Sequence, residues 1–252
     1  MKWILLTGIL VAVGAIAFSW YRGGDDGISD ALVVGERQHR VIPAPREGAP
    51  LLVLLHARGG TPRGLAWPEL TDALANLRDD APGVLLVDGG DHSYFHDRDD
   101  FAWGTHILRE AIPAARSRLG TDPTREAIGG YSMGGFGALD LARQRRFCAV
   151  GGHSPALWQE GGETPVGAFD DAEDFERHDI IEAARRNPRM YRGAEVWLDA
   201  GDEDSFAPNT VLLGELVGSP AKISPGGHTS QYWRDHVDEY VQFYSRALKT
   251  CG

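Results

Sequence analysis

Gly129-Gly130-Tyr131-Ser132-Met133-Gly134-Gly135 is the stretch around which the rest of the chain is organised. It contains Gly-x-Ser-x-Gly, read from Gly130 to Gly134. Arg125-Glu126-Ala127-Ile128 before it is short enough for a strand, and Phe136 to Ala142 after it suits a helix. Strand, sharp turn and helix are the setting in which this pentapeptide forms a nucleophile elbow. The serine then sits in a strained turn that lifts its hydroxyl clear of the sheet. Side chains at Gly130 and Gly134 would collide with the neighbouring strand and helix. Because the turn opens a helix, free N–H groups and the positive dipole end face the same centre. A bare Gly-x-Ser-x-Gly also arises by accident, so its reading rests on what the rest of the chain supplies.

Upstream of the elbow, Val33-Val34 and Arg40-Val41-Ile42 read as opening strands. Leu51-Leu52-Val53-Leu54-Leu55 is a continuous apolar run, as in a strand buried on both faces. It ends in the flexible turn His56-Ala57-Arg58-Gly59-Gly60. Leu65, Leu70, Leu74 and Leu77 recur at helical spacing and predict a helix over Gly64 to Arg78. Val84 to Val87 is the next buried strand, followed by a polar, aromatic loop through Asp100. Leu108, Ile112, Ala115 and Leu119 predict another helix, kinked at Pro113.

Downstream, Phe147 to Val150, Glu195 to Leu198 and Ala221 to Ile223 read as strands. Val211 to Val217 reads as a helix. The last helix carries Trp233, Val237, Tyr240, Val241, Tyr244 and Leu248 on one face. Between them, residues from about 156 to 193 are irregular, Gly-rich and at first acidic, with a short helix around Ile180 to Arg186. That segment reads as a lid insertion. Strands alternating with helices imply an α/β fold, with a mostly parallel, doubly wound sheet and helices on both faces.

The 252 residues suffice for one domain with a sizeable core. The net charge of −11 argues against a nucleic-acid partner. Lys2 followed by an apolar run from Trp3 to Trp20 reads as an export signal or an N-terminal membrane anchor over residues 1–22. Residues 23–30 follow as a polar linker, and 31–252 form the folded domain. Either reading of the leader puts that domain outside the cytoplasm, secreted or held at the outer face of the membrane through residues 3–20. Cys148 and Cys251 have no metal-ligand or redox spacing. A disulfide between them would require an oxidising compartment, and the expectation is one buried thiol and one loose C-terminal thiol.

The chemistry-bearing residues fall at the C-terminal ends of predicted strands, where open α/β sheets place their ligands. Their order is an early loop, Ser132, an acid after a late strand, and His228 after the last strand. This is the nucleophile, acid, histidine order of α/β-hydrolases. His228 follows two glycines and precedes a helix, so a flexible loop can aim its ring at the serine as a general base. Asp199, Asp202 and Asp204 all follow one strand and are all candidates for the acid that orients the histidine. Two N–H donors are needed for an oxyanion, and Met133 and Arg58 are the candidates. His56 ends a strand and is expected to be structural. His92 and His96, with Asp91 and Asp97, lie in a loop without a rigid ligand scaffold, so no metal is expected. Tyr94 and Trp103 are candidate substrate contacts, with aromatic packing beneath the loop as the alternative.

Gly130-Tyr131-Ser132-Met133-Gly134-Gly135-Phe136-Gly137-Ala138-Leu139 resembles the elbow of the putative-esterase group of α/β-hydrolases. That group includes S-formylglutathione hydrolases, feruloyl esterases and mycolyltransferases. Asp199 to Phe206 resembles its acid loop, which places the acid at Asp204 with Asp202 in reserve. Gly227-His228-Thr229-Ser230-Gln231-Tyr232-Trp233 is similar to its histidine motif. The resemblance runs from about Leu51 to Ala247. One departure is His56-Ala57, where the family often has His-Gly. Together with the leader, the resemblance implies an exported serine esterase with no cofactor, acting on a small-molecule, lipid or sugar ester. Acyl transfer to a sugar or lipid alcohol is the alternative, and a non-catalytic binding protein on the same fold is the alternative of another class.

Overall fold

The computed structural model describes residues 29–251, so the expected leader and nearly all of the linker lie outside the described residues. The apolar runs of the sequence become the centre of an eight-stranded sheet. Its strands are β1 (Asp30–Val34), β2 (Arg37–Ile42), β3 (Leu51–Leu55), β4 (Gly83–Val87), β5 (Glu126–Tyr131), β6 (Ala149–His153), β7 (Glu195–Gly201) and β8 (Lys222–Ser224). Their spatial order is β1-β2-β4-β3-β5-β6-β7-β8. β1 and β2 form an antiparallel pair, and β2 joins β4 antiparallel. From β4 across to β8 every pairing is parallel. This is the α/β-hydrolase fold, with an antiparallel margin on one side.

Every residue of β3 is buried, as a strand between two helical layers must be. Its side chains alternate: Leu51, Val53 and Leu55 enter one core, Leu52 and Leu54 the other. The second core is closed by α1 (Pro62–Leu65), α2 (Pro68–Asn76) and the C-terminal helix. The first core is closed mainly by α4 (Ile112–Leu119), to which α3 (Trp103–His106) leads, together with α5 (Met133–Gln144), α6 (Ala172–His178), α7 (Ile180–Arg186) and α8 (Ala207–Val217). The C-terminal helix, α9 (Ser230–Thr250), buries Trp233, Val237, Tyr240, Val241, Tyr244 and Leu248, the face read from their spacing. Among the described residues, no helix is long and apolar enough to cross a membrane.

Three local expectations are revised. The helix expected over 64–78 is two helices, because Pro68 forces Trp67 into an extended conformation (ψ 149°) that stops α1 from continuing into α2. Around Pro113, one turn of π-helix (Ile107–Ala111) links α3 to α4, and Pro113 stands in the first turn of α4, where its missing N–H costs least. The cysteines are paired. Cys148, immediately before β6, and Cys251, at the end of α9, have Cα atoms 5.6 Å apart and form a disulfide. Nothing in their 103-residue separation along the chain signals this, because only the packing of α9 across the sheet brings them together.

Cross-linking so long a loop restricts the unfolded chain strongly. Cys148→Ser, or reduction of the wild type, is expected to lower stability by about 2–4 kcal/mol. Denaturant unfolding with and without reductant checks this, and reductant should leave the Cys148→Ser variant unaffected.

Candidate active site

The elbow is built by close approach. A Cβ on Gly134 would overlap the carbonyl groups of Leu55 and His56, and one on Gly130 would overlap the Gly134 carbonyl. With glycine at both positions, the first turn of α5 lies directly against the end of β3. Ser132, at the tip, is held at φ 53° and ψ −112°, a left-handed conformation that a serine adopts only under constraint. The constraint is visible on both sides: Ser132 N–H donates to His153 O at 3.0 Å, and Ser132 O accepts from Phe136 N–H and Ala156 N–H.

The Ser132 hydroxyl lies 2.8 Å from His228 Nε2, and His228 Nδ1 lies 2.8 Å from Asp204 Oδ2. Asp204 also accepts from Phe206 N–H at 2.8 Å and is buried. Burial by itself would raise its pKa, but the hydrogen bonds from His228 and Phe206 N–H outweigh it and hold the carboxyl below its ordinary value. An ionised, acceptor-only Asp204 puts the imidazole proton on Nδ1. Nε2 is then free to accept from the serine. Phe206 and Trp233 flank the imidazole, with ring centroids 5.2 and 5.4 Å away.

The three candidate aspartates have separate fates. Asp204 meets His228. Asp202 is exposed and accepts from Gly226 N–H at 2.9 Å, while its own N–H donates to Ser224 O, so it stitches the acid loop to the histidine loop. Asp199 is buried at the end of β7 and accepts from His153 Nδ1 at 2.7 Å, Trp197 Nε1 at 2.9 Å and Tyr240 OH at 2.7 Å. His153 Nε2 is in turn 2.9 Å from Tyr244 OH. This second His–Asp pair was missed at the sequence level. The signal that finds it is strand register, in which His153 and Asp199 are direct partners.

Met133 opens α5, so its N–H has no acceptor within the helix. Arg58 N–H has no partner among the described residues, whereas Gly59 N–H donates to Asp91 O and Gly60 N–H to Ala57 O. The contact of Gly134 with the end of β3 brings these two stretches side by side. His56 holds the Arg58 loop from beneath: Nδ1–H donates to Ala57 O at 2.8 Å, and Nε2 accepts from Gly89 N–H at 3.1 Å. Tyr94 and Trp103 are both buried. Tyr94 packs on Phe136, Trp158 and Phe169, and burial raises its pKa against the smaller, opposing field of Arg58. Trp103 packs on Phe101 beneath the Arg37 guanidinium, which lies 3.9 Å from its ring centroid. The loop histidines separate: His92 is exposed, 3.5 Å from Asp91, whereas His96 is fully buried against another element.

The family model described as putative esterase matches residues 44–243. The chain belongs to the putative-esterase family. No curated protein matches it in sequence. Among solved structures, this putative esterase is similar to a ferulic acid esterase, at 19% identity and TM-score 0.75, over 87% of this chain and 97% of that one. It is similar to an S-formylglutathione hydrolase from Agrobacterium tumefaciens, at 17% identity and TM-score 0.67, over 87% and 94%. A fluorophosphonate-binding serine hydrolase from Staphylococcus aureus matches at 16% identity and TM-score 0.70, over 86% and 97%. At these identities the likeness is one of fold.

His56→Leu removes the acceptor of the buried Gly89 N–H and the donor to Ala57 O. The expected loss is about 1–3 kcal/mol, read by chemical denaturation. In the wild type, burial holds the His56 pKa below its ordinary value despite the bond to Ala57. Its contribution to stability is therefore fully present above the ordinary histidine range of about 6.5 and falls away as pH drops below it, where the unfolded chain takes up the proton first.

Proposed function

We propose that this putative esterase is a serine carboxylic-ester hydrolase working through an acyl-enzyme on Ser132. The observation that carries this is the continuous line from Ser132 Oγ through His228 to Asp204, at 2.8 Å for each step. Ser132 Oγ attacks the ester carbonyl carbon, and its proton passes to His228 Nε2. Asp204, ionised and buried, stabilises the imidazolium and fixes its tautomer. Met133 and Arg58 N–H groups stabilise the oxyanion, a contribution of about 10²–10³ in rate per donor in comparable sites. As the tetrahedral intermediate collapses, the imidazolium returns its proton to the leaving alkoxide. Water then attacks the acyl-serine along the same path, releasing the acid and free Ser132. The reaction calls for no cofactor.

An alcohol of a sugar or lipid taking the place of that water would make the protein an acyltransferase, with the same chemistry up to the acyl-enzyme. Product analysis with and without an alcohol acceptor separates the two, and exclusive transfer with no free acid would reject the hydrolase reading. Residues 1–22 are proposed as an export signal or membrane anchor. The Cys148–Cys251 disulfide supports an oxidising compartment. Cell fractionation that finds the protein in the cytoplasm with both thiols free would reject export.

A fluorophosphonate is expected to label Ser132 and to abolish ester hydrolysis, and absence of labelling would leave only a non-catalytic role. Asp204→Asn is expected to lower kcat by about 10³–10⁴, since the amide favours the wrong imidazole tautomer. Asp202→Asn is expected to change kcat only a few-fold, and the reverse pattern would reassign the acid.

A further inference from the structure

Beneath the insertion, away from Ser132, three potential metal ligands converge. His96 comes from the loop after β4, and Asp174 and His178 come from α6. Their donor atoms all lie within 4.8 Å of one another. His96 Nε2 is 3.0 Å from Asp174 Oδ2, and His178 Nε2 is 3.6 Å from Asp174 Oδ1. The carboxylate therefore offers one oxygen to each imidazole. Two donors bound to one zinc ion at about 2.0–2.1 Å, at angles near tetrahedral, lie roughly 3.0–3.6 Å apart. The side chains are 0%, 1% and 16% exposed for His96, Asp174 and His178, so this is not a loose surface cluster.

The surrounding groups hold the ligands in the orientation a metal needs. His178 Nδ1–H donates to the buried Asp140 carboxylate at 2.8 Å, which turns the Nε2 lone pair toward Asp174. Asp140 is itself fixed by Arg143 at 2.9 Å. Asp174 Oδ2 accepts from Asp170 N–H at 2.9 Å, and Oδ1 accepts from Arg177 at 3.3 Å. Each oxygen has two lone pairs, so one on each remains for an ion. The charge neighbours include opposing ones: Arg98 Nε lies 3.9 Å from Asp174 Oδ2, although that guanidinium is engaged by Asp170 and by the Gly167 and Ala168 carbonyls. Among the described residues, His96 Nδ1 is buried without a partner and would carry the proton of a metal-bound imidazole. A cleft of about 850 Å³, walled in part by Glu173, Glu176 and Arg177, borders α6, and Arg177 is half exposed.

We propose that His96, Asp174 and His178 form a structural zinc site, completed by a water as fourth ligand. Two imidazoles and a carboxylate suit zinc among common divalent ions. The ion would join the loop after β4 to α6 and, through the His178–Asp140 bond, to the nucleophile-bearing α5. The site is independent of the ester chemistry, since none of its ligands touches Ser132, His228 or Asp204.

The test uses tag-free full-length protein, stripped with chelator and desalted. Titration with Zn²⁺ alone, read by calorimetry and thermal melting, is expected to show one saturable equivalent and a higher Tm. Co²⁺ is expected to give the visible absorption of a four-coordinate ion. His178→Ala and Asp174→Asn are each expected to weaken binding at least tenfold. Asp140→Asn is expected to weaken it about 10–100-fold, as loss of a ligand's carboxylate partner typically does. His178, the most exposed of the three ligands, is the substitution least disturbing to folding, and retained ester hydrolysis would show that the variant is folded. His228→Ala should keep the affinity of the wild type. No saturable binding by the wild type, or binding undiminished in His178→Ala, would overturn the proposal.

Discussion

At Gly134 the first turn of α5 lies so close to the end of β3 that no side chain fits between them. The rest of the site depends on that contact. It forces the chain through Ser132 at φ 53°, a conformation that costs on the order of 1–3 kcal/mol for a non-glycine residue. It also sets the opening N–H of α5 beside the loop that carries Arg58. The strain is tolerable because β5 is paired on both sides, by β3 and β6, and because Ser132 N–H and O are both hydrogen-bonded. A rigid sheet thus supports a strained tip, which is how the Ser132 hydroxyl comes to stand clear of its own backbone.

Polar groups under the site are arranged so that one aspartate serves each of two histidines. Asp204 faces His228 at the rim, where the ring is 28% exposed and reaches Ser132. Asp199 faces His153 within the sheet, where Tyr244 occupies the other ring nitrogen. The pairs look alike in chemistry and differ in access. Only the first has the Ser132 hydroxyl at its other ring nitrogen. The second acts as a brace: through Tyr240 and Tyr232 the Asp199 carboxylate ties α9 to the sheet, and α9 begins two residues after His228. Asp202 adds a second tie by joining the acid loop to Gly226.

The insertion between β6 and β7 is anchored to α5 by hydrogen bonds. His178 on α6 and Asp140 on α5 form a short bond, and the buried Asp174 gathers His96, Arg177 and the Asp170 N–H. These hydrogen bonds to His96 and to Asp170 N–H outweigh the burial that would raise the Asp174 pKa, leaving it strongly lowered. Aromatic packing continues the same link. Trp158 of the insertion touches Tyr94, Phe136 and Phe206, and Phe206 touches His228. The insertion and the histidine loop therefore share a wall of rings.

The elbow, the order of strands and helices, and His228 were legible in the sequence, because each rests on local rules. Glycine spacing makes the turn, apolar runs make buried strands, and a periodic face makes α9. The helix break at Pro68 and the π-turn before Pro113 were less legible, since the accommodation of a proline depends on what packs around it. The choice among Asp199, Asp202 and Asp204 lay beyond local rules: three aspartates stand within six residues, and only the paths of β6 and α9 assign them. The Cys148–Cys251 bond and the His96–Asp174–His178 group are of the same kind. Their members are far apart or point differently along the chain. The sequence by itself determined the chemical types present and the secondary structure that carries them. The tertiary structure decided which of them meet, because side-chain contact across a sheet is set by strand register and helix packing, and neither is written in any single stretch.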